Sequence, residues 1–277
     1  MEGIIVIFDF DKTIIEVDSD NWVVDELGFT EVFNSLLPTM PWNTLMNTMM
    51  NVMHERGVTI DQISEVITRI PIHPRVVPAI KAAHAMGCDL KVVSDANTFF
   101  IEIVLTHLGL RDCFSEINTN PSYVDDEGRL RIFPHHRDFV NLSHGCCNPC
   151  PSNMCKGDVI KRILRDESNK KIIYLGDGSG DYCPSIKLRP GDHVMPRKNF
   201  PVWDLISKNP SLIQAKIHEW SNGDDLEQVL LSTIRDTIMV QYTNIVSRDT
   251  TMKNSDLLEK LPPKIGLASS LLVKVYR

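Results

Sequence analysis

The sequence predicts an α/β protein: a Rossmann-like parallel sheet with helices on both faces and an inserted helical cap. Three observations carry this expectation. Short apolar runs, IIVIF, DLKVV and KIIYL, each end in acidic, hydroxyl or glycine residues, as strands buried on both faces of a parallel sheet do. From residue 76 onward helical patterns alternate with these runs, as parallel crossover connections require. Between the first and second runs, residues 18–70 carry helical periodicity and almost no strand character.

Residues 4–14, IIVIFDFDKTI, read as a strand that carries Asp9 and Asp11 to the carboxyl edge of the sheet. Alternation along an extended strand starts both side chains on one side, and that edge is where open α/β sheets bind ligands. Two carboxylates so close repel unless a cation or a shared proton relieves them. The spacing therefore points to a magnesium site or an acid/base pair. Next come helical runs over 21–27, 29–37, 42–55 and 60–69, punctuated by Gly28, Pro38, Pro41 and Gly57. Met46, Met49, Met50 and Met53 form an adaptable core face among them.

A helix over 76–86 ends at Gly87, and a strand over 89–95 ends in Ser94 and Asp95. A helix over 98–108 closes at Gly109, a strand covers 114–118, and a hairpin covers 123–133 with its turn at Asp126, Glu127 and Gly128. Lys156 opens a helix over 157–165. The strand 170–175 runs into GDGSGD, where Gly176, Gly178 and Gly180 allow tight turns between Asp177 and Asp181. This loop lacks GxGxxG and the Lys-Ser/Thr pair of a phosphate loop, which argues against a nucleotide site. A short strand over 193–196 and helices over 202–207 and 226–237 follow. Residues 247–277 read as a loosely attached tail.

The 277 residues are 43% hydrophobic, enough for a substantial core, and the formal net charge is -7 with no basic block. That balance argues against nucleic acid and anionic membrane surfaces and favours a small polar substrate. No apolar run approaches about 18 residues, and no basic-then-apolar leader opens the chain, so a cytoplasmic location is expected. Seven cysteines in that setting are expected to be reduced thiols or metal ligands. Cys146, Cys147, Cys150 and Cys155, beside His144, are candidate ligands of a structural Zn2+; a packed, reduced thiol loop is the alternative.

DFDKT, Ser94, Lys156 and GDGSGD, in that order, resemble the four motifs of haloacid dehalogenase superfamily phosphatases over roughly residues 1–240. DFDKTIIEVDSDNWVV, VVSDANTFFIE and CPSNMCKGDVI are more closely similar to the phosphoethanolamine/phosphocholine phosphatase family, which in plants includes enzymes described as acting on pyrophosphate and thiamine phosphate. Asp11-Lys12-Thr13 also resembles the start of the P-type ATPase signature, but Ile14 stands where that signature needs Gly, and membrane spans are lacking.

The resemblance implies a discontinuous catalytic core (1–17 and 71–246), a helical cap (18–70) that excludes water and selects substrate, and a tail (247–277) outside the match. It implies Asp9 as nucleophile, Asp11 as acid/base, and Mg2+ held by Asp9, the Asp11 carbonyl and Asp177, with Asp181 as brace. It also implies that Ser94 and Lys156 hold the phosphoryl oxygens and that Thr13 fixes the loop beside the substrate.

Asp20 and Asp95 add negative charge near the substrate, which suits a cationic leaving group with Trp22, Trp42 or Phe99 as cation-π neighbours; alternatively, the two cap the helices that follow them. The expected substrate is a small phosphorylated metabolite, phosphoethanolamine or phosphocholine first and pyrophosphate or thiamine monophosphate second. A scaffold that kept the fold but lost the chemistry would be expected to lack the nucleophile, the acid/base or the metal aspartate, and all three are present. A phosphomutase would keep the same motifs.

Overall fold

The computed structural model describes residues 3–136 and 144–248. In chain order it forms β1 (Ile4–Phe8), then helices α1 (Ser19–Glu26), α2 (Thr30–Leu36), α3 (Trp42–Glu55) and α4 (Ile60–Thr68). Next come α5 (Val76–Ala85), β2 (Asp89–Asn97), α6 (Thr98–His107), β3 (Phe114–Asn120), and a hairpin of β4 (Ser122–Val124) and β5 (Leu130–Ile132). The chain continues with α7 (Lys156–Asp166), β6 (Lys171–Gly176), α8 (Tyr182–Ser185), β7 (His193–Pro196), α9 (Pro201–Lys208), β8 (Lys216–Ile217) and α10 (Gly223–Arg248).

The six-stranded sheet runs β3-β2-β1-β6-β7-β8, with every neighbouring pair parallel. Its order reverses direction at β1, whose neighbours are β2 and β6. The carboxyl end of β1 is thus a topological switch point, the crevice where such sheets bind ligands. Every residue of β1 is buried, and alternation divides the strand between two cores. Ile4, Val6 and Phe8 pack with apolar residues of α1 through α6 and α10, while Ile5 and Ile7 pack with those of α7 and α9. Helices therefore cover both faces, as the apolar runs predict. The inserted helices α1–α4 join the first core, with α4 against α6 and α3 against β5.

Several boundaries differ from expectation. β1 stops at Phe8, and the expected continuation through residue 14 is a turn in which the amides of Thr13, Ile14 and Ile15 all point back to the Phe10 carbonyl and Lys12 adopts a φ of 51°. Ile14 and Ile15 are buried from that turn, so their apolarity imitates strand character. Asp9 and Asp11 accordingly sit on a loop rather than on one pleat. The helix expected over 226–237 spans Gly223–Arg248, so residues 247 and 248 are helical and the rest of the expected tail, 249–277, lies outside the described residues. β8, only two residues long, has no apolar run to announce it. Among the described residues no helix is long and apolar enough to cross a membrane.

Candidate active site

The turn after β1 is braced from the neighbouring strands. Asp9 donates its amide to the Leu175 carbonyl (2.9 Å), and its Oδ1 accepts from the Phe10 amide (2.7 Å). Arg197, directly after β7, donates to the Lys12 carbonyl (2.6 Å) and to Glu16 Oε2 (2.7 Å), and its guanidinium lies over the rings of Phe200 and Trp220. A buried arginine thus fixes the loop that presents the two aspartates.

Asp9 and Asp11 face different surroundings. Asp9 faces the sheet: its Oδ2 lies 2.8 Å from Lys156 Nζ at the start of α7. That ammonium also lies 2.9 Å from Asp181 Oδ1 and 3.3 Å from Asp95 Oδ1. Asp181 has no exposed surface and its oxygens are fully engaged. Oδ1 accepts from Lys156 and the Tyr174 hydroxyl, and Oδ2 accepts from the amides of Asp177 (3.0 Å) and Gly178 (2.9 Å). Gly176 makes this possible, because a Cβ there would stand 2.4 Å from Asp181 Cγ. Asp11 faces the inserted helices, where its Oδ1 accepts from the Ser19 amide (3.0 Å).

Burial and crowding set the protonation of these groups. Burial, then the charges of Asp18, Asp20 and Asp9, raise Asp11 well above the usual carboxylate range, a shift that favours its protonated form. Asp9 is also raised, by burial and the Asp181 charge, while Lys156 acts in the opposite sense. Burial and Asp181 push Asp177 up to about 7. Carboxylate oxygens of Asp9, Asp177 and Asp181 lie within 4.8 Å of one another, and all three residues are buried. With Asp181 saturated, Asp9 and Asp177 supply hard oxygen donors. A pair of carboxylates completed by waters and a phosphate oxygen fits Mg2+, and a divalent cation there would offset the crowding that raises both groups.

A cleft of about 570 Å3 opens over these residues. Asp11, Asp18, Asp20, Asp95 and Trp42 are among its lining residues, and Lys12 and Lys156 are its cations among the described lining residues. The helix-cap alternative for Asp20 and Asp95 does not hold, because Asp18 caps α1 through the Asn21 amide and Asn97 caps α6 through the Phe100 amide. Asp20 Oδ2 instead accepts from Trp42 Nε1 (2.7 Å), and its Oδ1 is buried with no protein partner among the described residues. Burial and Asp18 push Asp20 up to about 8.

Of the aromatic candidates, Trp42 reaches the cleft, whereas Trp22 turns its ring nitrogen to the Val66 carbonyl and Phe99 packs edge-on to Phe100. Ser94 is fully buried within β2 and outside the cleft lining, with its Oγ accepting from the Ala96 amide (3.3 Å). Thr13 is buried outside the cleft lining, and its hydroxyl meets no protein partner among the described residues.

The cysteine expectation needs one correction. Cys146, Cys150 and Cys155 do converge, but the fourth member is Cys183 of α8, not Cys147, which is exposed. Sequence reasoning also missed Arg197, Tyr174 and Asp18. Arg197 had a readable signal, as a cation directly after a buried strand at the binding edge. Tyr174 had none, since it lies within an apolar run.

A switch point carrying paired aspartates, a buried lysine and a braced GDxxxD loop defines a phosphatase of the haloacid dehalogenase superfamily. The chain belongs to the family described as Putative Phosphatase, whose model matches residues 4–234. It is 60% identical to inorganic pyrophosphatase 2 of Arabidopsis thaliana over 84% of this chain and 85% of that protein. It is 51% identical to a thiamine phosphate phosphatase-like protein of the same plant, over 84% and 96%. Identity to the human phosphoethanolamine/phosphocholine phosphatase is 32%, over 81% and 88%. Among solved structures, a phospho-aspartyl intermediate analogue of phosphoserine phosphatase shares the fold, with a TM-score of 0.56, 16% identity and coverage of 84% and 99%.

Proposed function

We propose that this phosphatase hydrolyses a small phosphomonoester whose leaving alcohol carries an amine, phosphoethanolamine or phosphocholine, in two steps through Asp9. The carboxylate of Asp9 attacks phosphorus, the ester P–O bond breaks, and protonated Asp11 gives its proton to the departing alkoxide. Asp11 then takes a proton from the water that attacks the aspartyl phosphate, and the P–O bond to Asp9 breaks to release inorganic phosphate. Lys156 and Ser94 hold the transferring oxygens, and Asp181 fixes Lys156 and the Asp177 loop. Thr13 supports the turn after β1. Mg2+, when held by Asp9, Asp177 and the Asp11 carbonyl, screens the nucleophile from the phosphoryl charge. Residues 18–70 act as the cap that contributes the leaving-group side.

The observation that carries the substrate assignment is the acidic lining: Asp18 and Asp20 with Trp42 from the inserted segment, and Asp95 from β2, line the cleft that holds Asp11. Burial holds Asp18 and Asp20 above the usual carboxylate range; an ammonium one short linker from the phosphate would favour their ionised forms and gain Trp42 as an aromatic neighbour, whereas an anionic leaving group would oppose ionisation further. Identity of 60% to a protein named inorganic pyrophosphatase favours pyrophosphate as the second reading, with thiamine monophosphate beside it. The test is a panel of kcat/KM values for phosphoethanolamine, phosphocholine, pyrophosphate, thiamine monophosphate and phosphoserine, on the parent and on Asp20→Asn and Asp95→Asn. Selective losses on amine-bearing substrates support the proposal. A parent that prefers pyrophosphate, or equal losses on every substrate, overturns it.

A further inference from the structure

Four cysteines that the hydrolytic site does not use converge beside its lysine. Cys146, Cys150 and Cys155 come from the segment entering α7, and Cys183 comes from α8, two residues beyond Asp181. The Cys146 sulfur is 3.5 Å from that of Cys183 and 3.6 Å from that of Cys150; the Cys155 sulfur is 3.8 Å from those of both Cys150 and Cys183. All four lie within 4.8 Å of one another. Tetrahedral zinc with Zn–S bonds of about 2.3 Å spaces its sulfurs about 3.8 Å apart. The cluster therefore has the dimensions of four ligands around one centre.

The surroundings fit the same chemistry. All four cysteines are free, and thiols are weak hydrogen-bond donors that gain little from one another at this separation. The Asn148 side-chain amide donates to the sulfurs of both Cys146 (3.4 Å) and Cys183 (3.3 Å), as outer-sphere donors to metal thiolates do. The His144 ring is turned to the loop itself, with Nε2 at the Pro151 carbonyl (3.0 Å) and Nδ1 accepting from the Cys146 amide (3.3 Å). Four sulfurs make a closed set that leaves no position for substrate, the mark of a structural site rather than a catalytic one.

We propose that Cys146, Cys150, Cys155 and Cys183 bind one structural Zn2+, releasing their thiol protons to solvent. The metal ties the loop ahead of α7 to α8 and so clamps both ends of the Lys156–Asp181 contact. Cys155 immediately precedes Lys156, and Gly157 packs so closely that a Cβ there would stand 2.4 Å from the Cys183 sulfur. Pro149, Cys150 and Pro151 line the cleft, so the same clamp shapes one of its walls. This site is separate from the magnesium-type oxygens of Asp9 and Asp177.

The test is metal analysis of the full chain purified in reductant without chelator. About one zinc per chain is expected, and Co2+ substituted for it should give the d–d and sulfur-to-metal charge-transfer bands of a tetrahedral thiolate site. Cys146→Ser and Cys183→Ser should lose zinc to a competing chelator at least about tenfold more readily, while Cys147→Ser and Cys113→Ser retain it. Should the first two variants fail to fold, the parent's zinc content and cobalt spectrum decide alone. A parent that carries no zinc and takes up no stoichiometric Co2+ overturns the proposal. So does equal loss from Cys147→Ser, bound iron in place of zinc, or four thiols missing as disulfides in the denatured, unreduced protein.

Discussion

The Lys156 ammonium lies 2.8 Å from Asp9 Oδ2, and neither side chain is more than 5% exposed. It is the group that opposes the rise in the Asp9 pKa caused by burial and by Asp181. Lys156→Ala should therefore lower kcat by about 100- to 1000-fold, the scale for losing one preorganised stabiliser of developing charge. Because Asp9 must be ionised to attack and its pKa would rise further, the acid limb of the kcat/KM profile should move to higher pH. A pH-rate profile that keeps its shape would make Lys156 a structural residue alone.

Asp9→Asn should reduce turnover by about a thousandfold or more, since an amide is a poor nucleophile and a poorer metal ligand. Asp11→Asn should still bind substrate but slow both formation and hydrolysis of the phosphoenzyme. Rapid-quench mass spectrometry separates the two variants. A phosphorylated Asp11, or near-normal turnover with Asn at position 9, would move the nucleophile.

Arg197→Lys should lower stability by about 1–3 kcal/mol in urea unfolding, because an ammonium cannot reproduce the guanidinium fork that reaches both the Lys12 carbonyl and Glu16. The loop it releases carries Asp9 and Asp11, so kcat should fall as well. A variant as stable and active as the parent would show that the turn after β1 holds its own shape.

How much of this was readable beforehand depended on distance along the chain. The strands were visible because apolar runs buried on both faces need no partner to identify them; Asp9 and Asp177 were visible because each follows the end of such a run, and Lys156 because it opens the helix that leads into the next one. Cys183 was hidden because its partnership with Cys155 crosses β6, and nothing local distinguishes it from any other buried cysteine. Asp18 and Asp20 show the finer limit: either could cap α1 by spacing, and only the backbone entering the helix decides that Asp18 does. The turn at residues 10–15 was misread because periodicity reports burial, and Ile14 and Ile15 are buried without being extended.

Asp20→Asn should stabilise the protein in a pH-dependent way. The unfolded carboxyl ionises near 3.8, and the folded one, raised by burial, near 8. Between these values the unfolded chain has released a proton that the folded chain keeps, so the contribution of Asp20 is complete below about 4 and is lost as pH rises toward 8. Parent and variant should unfold at similar temperatures near pH 4, with the variant about 2–4 °C or more higher near pH 8. A difference that stays constant with pH would mean that Asp20 is already ionised in the folded state.

Asp9 is held by strands and by the start of α7, whereas Asp11 looks toward the helices that interrupt the sheet. On the proposed mechanism, the group that attacks phosphorus and the group that protonates the leaving alcohol thereby look toward separate stretches of chain. On that reading, exchanges at Asp18, Asp20 or Trp42 would redirect the enzyme to a different leaving group while Asp9, Lys156 and Asp177 stay in place. Two chains alike over more than half their residues would then differ in the ester they take and agree in how they cleave it.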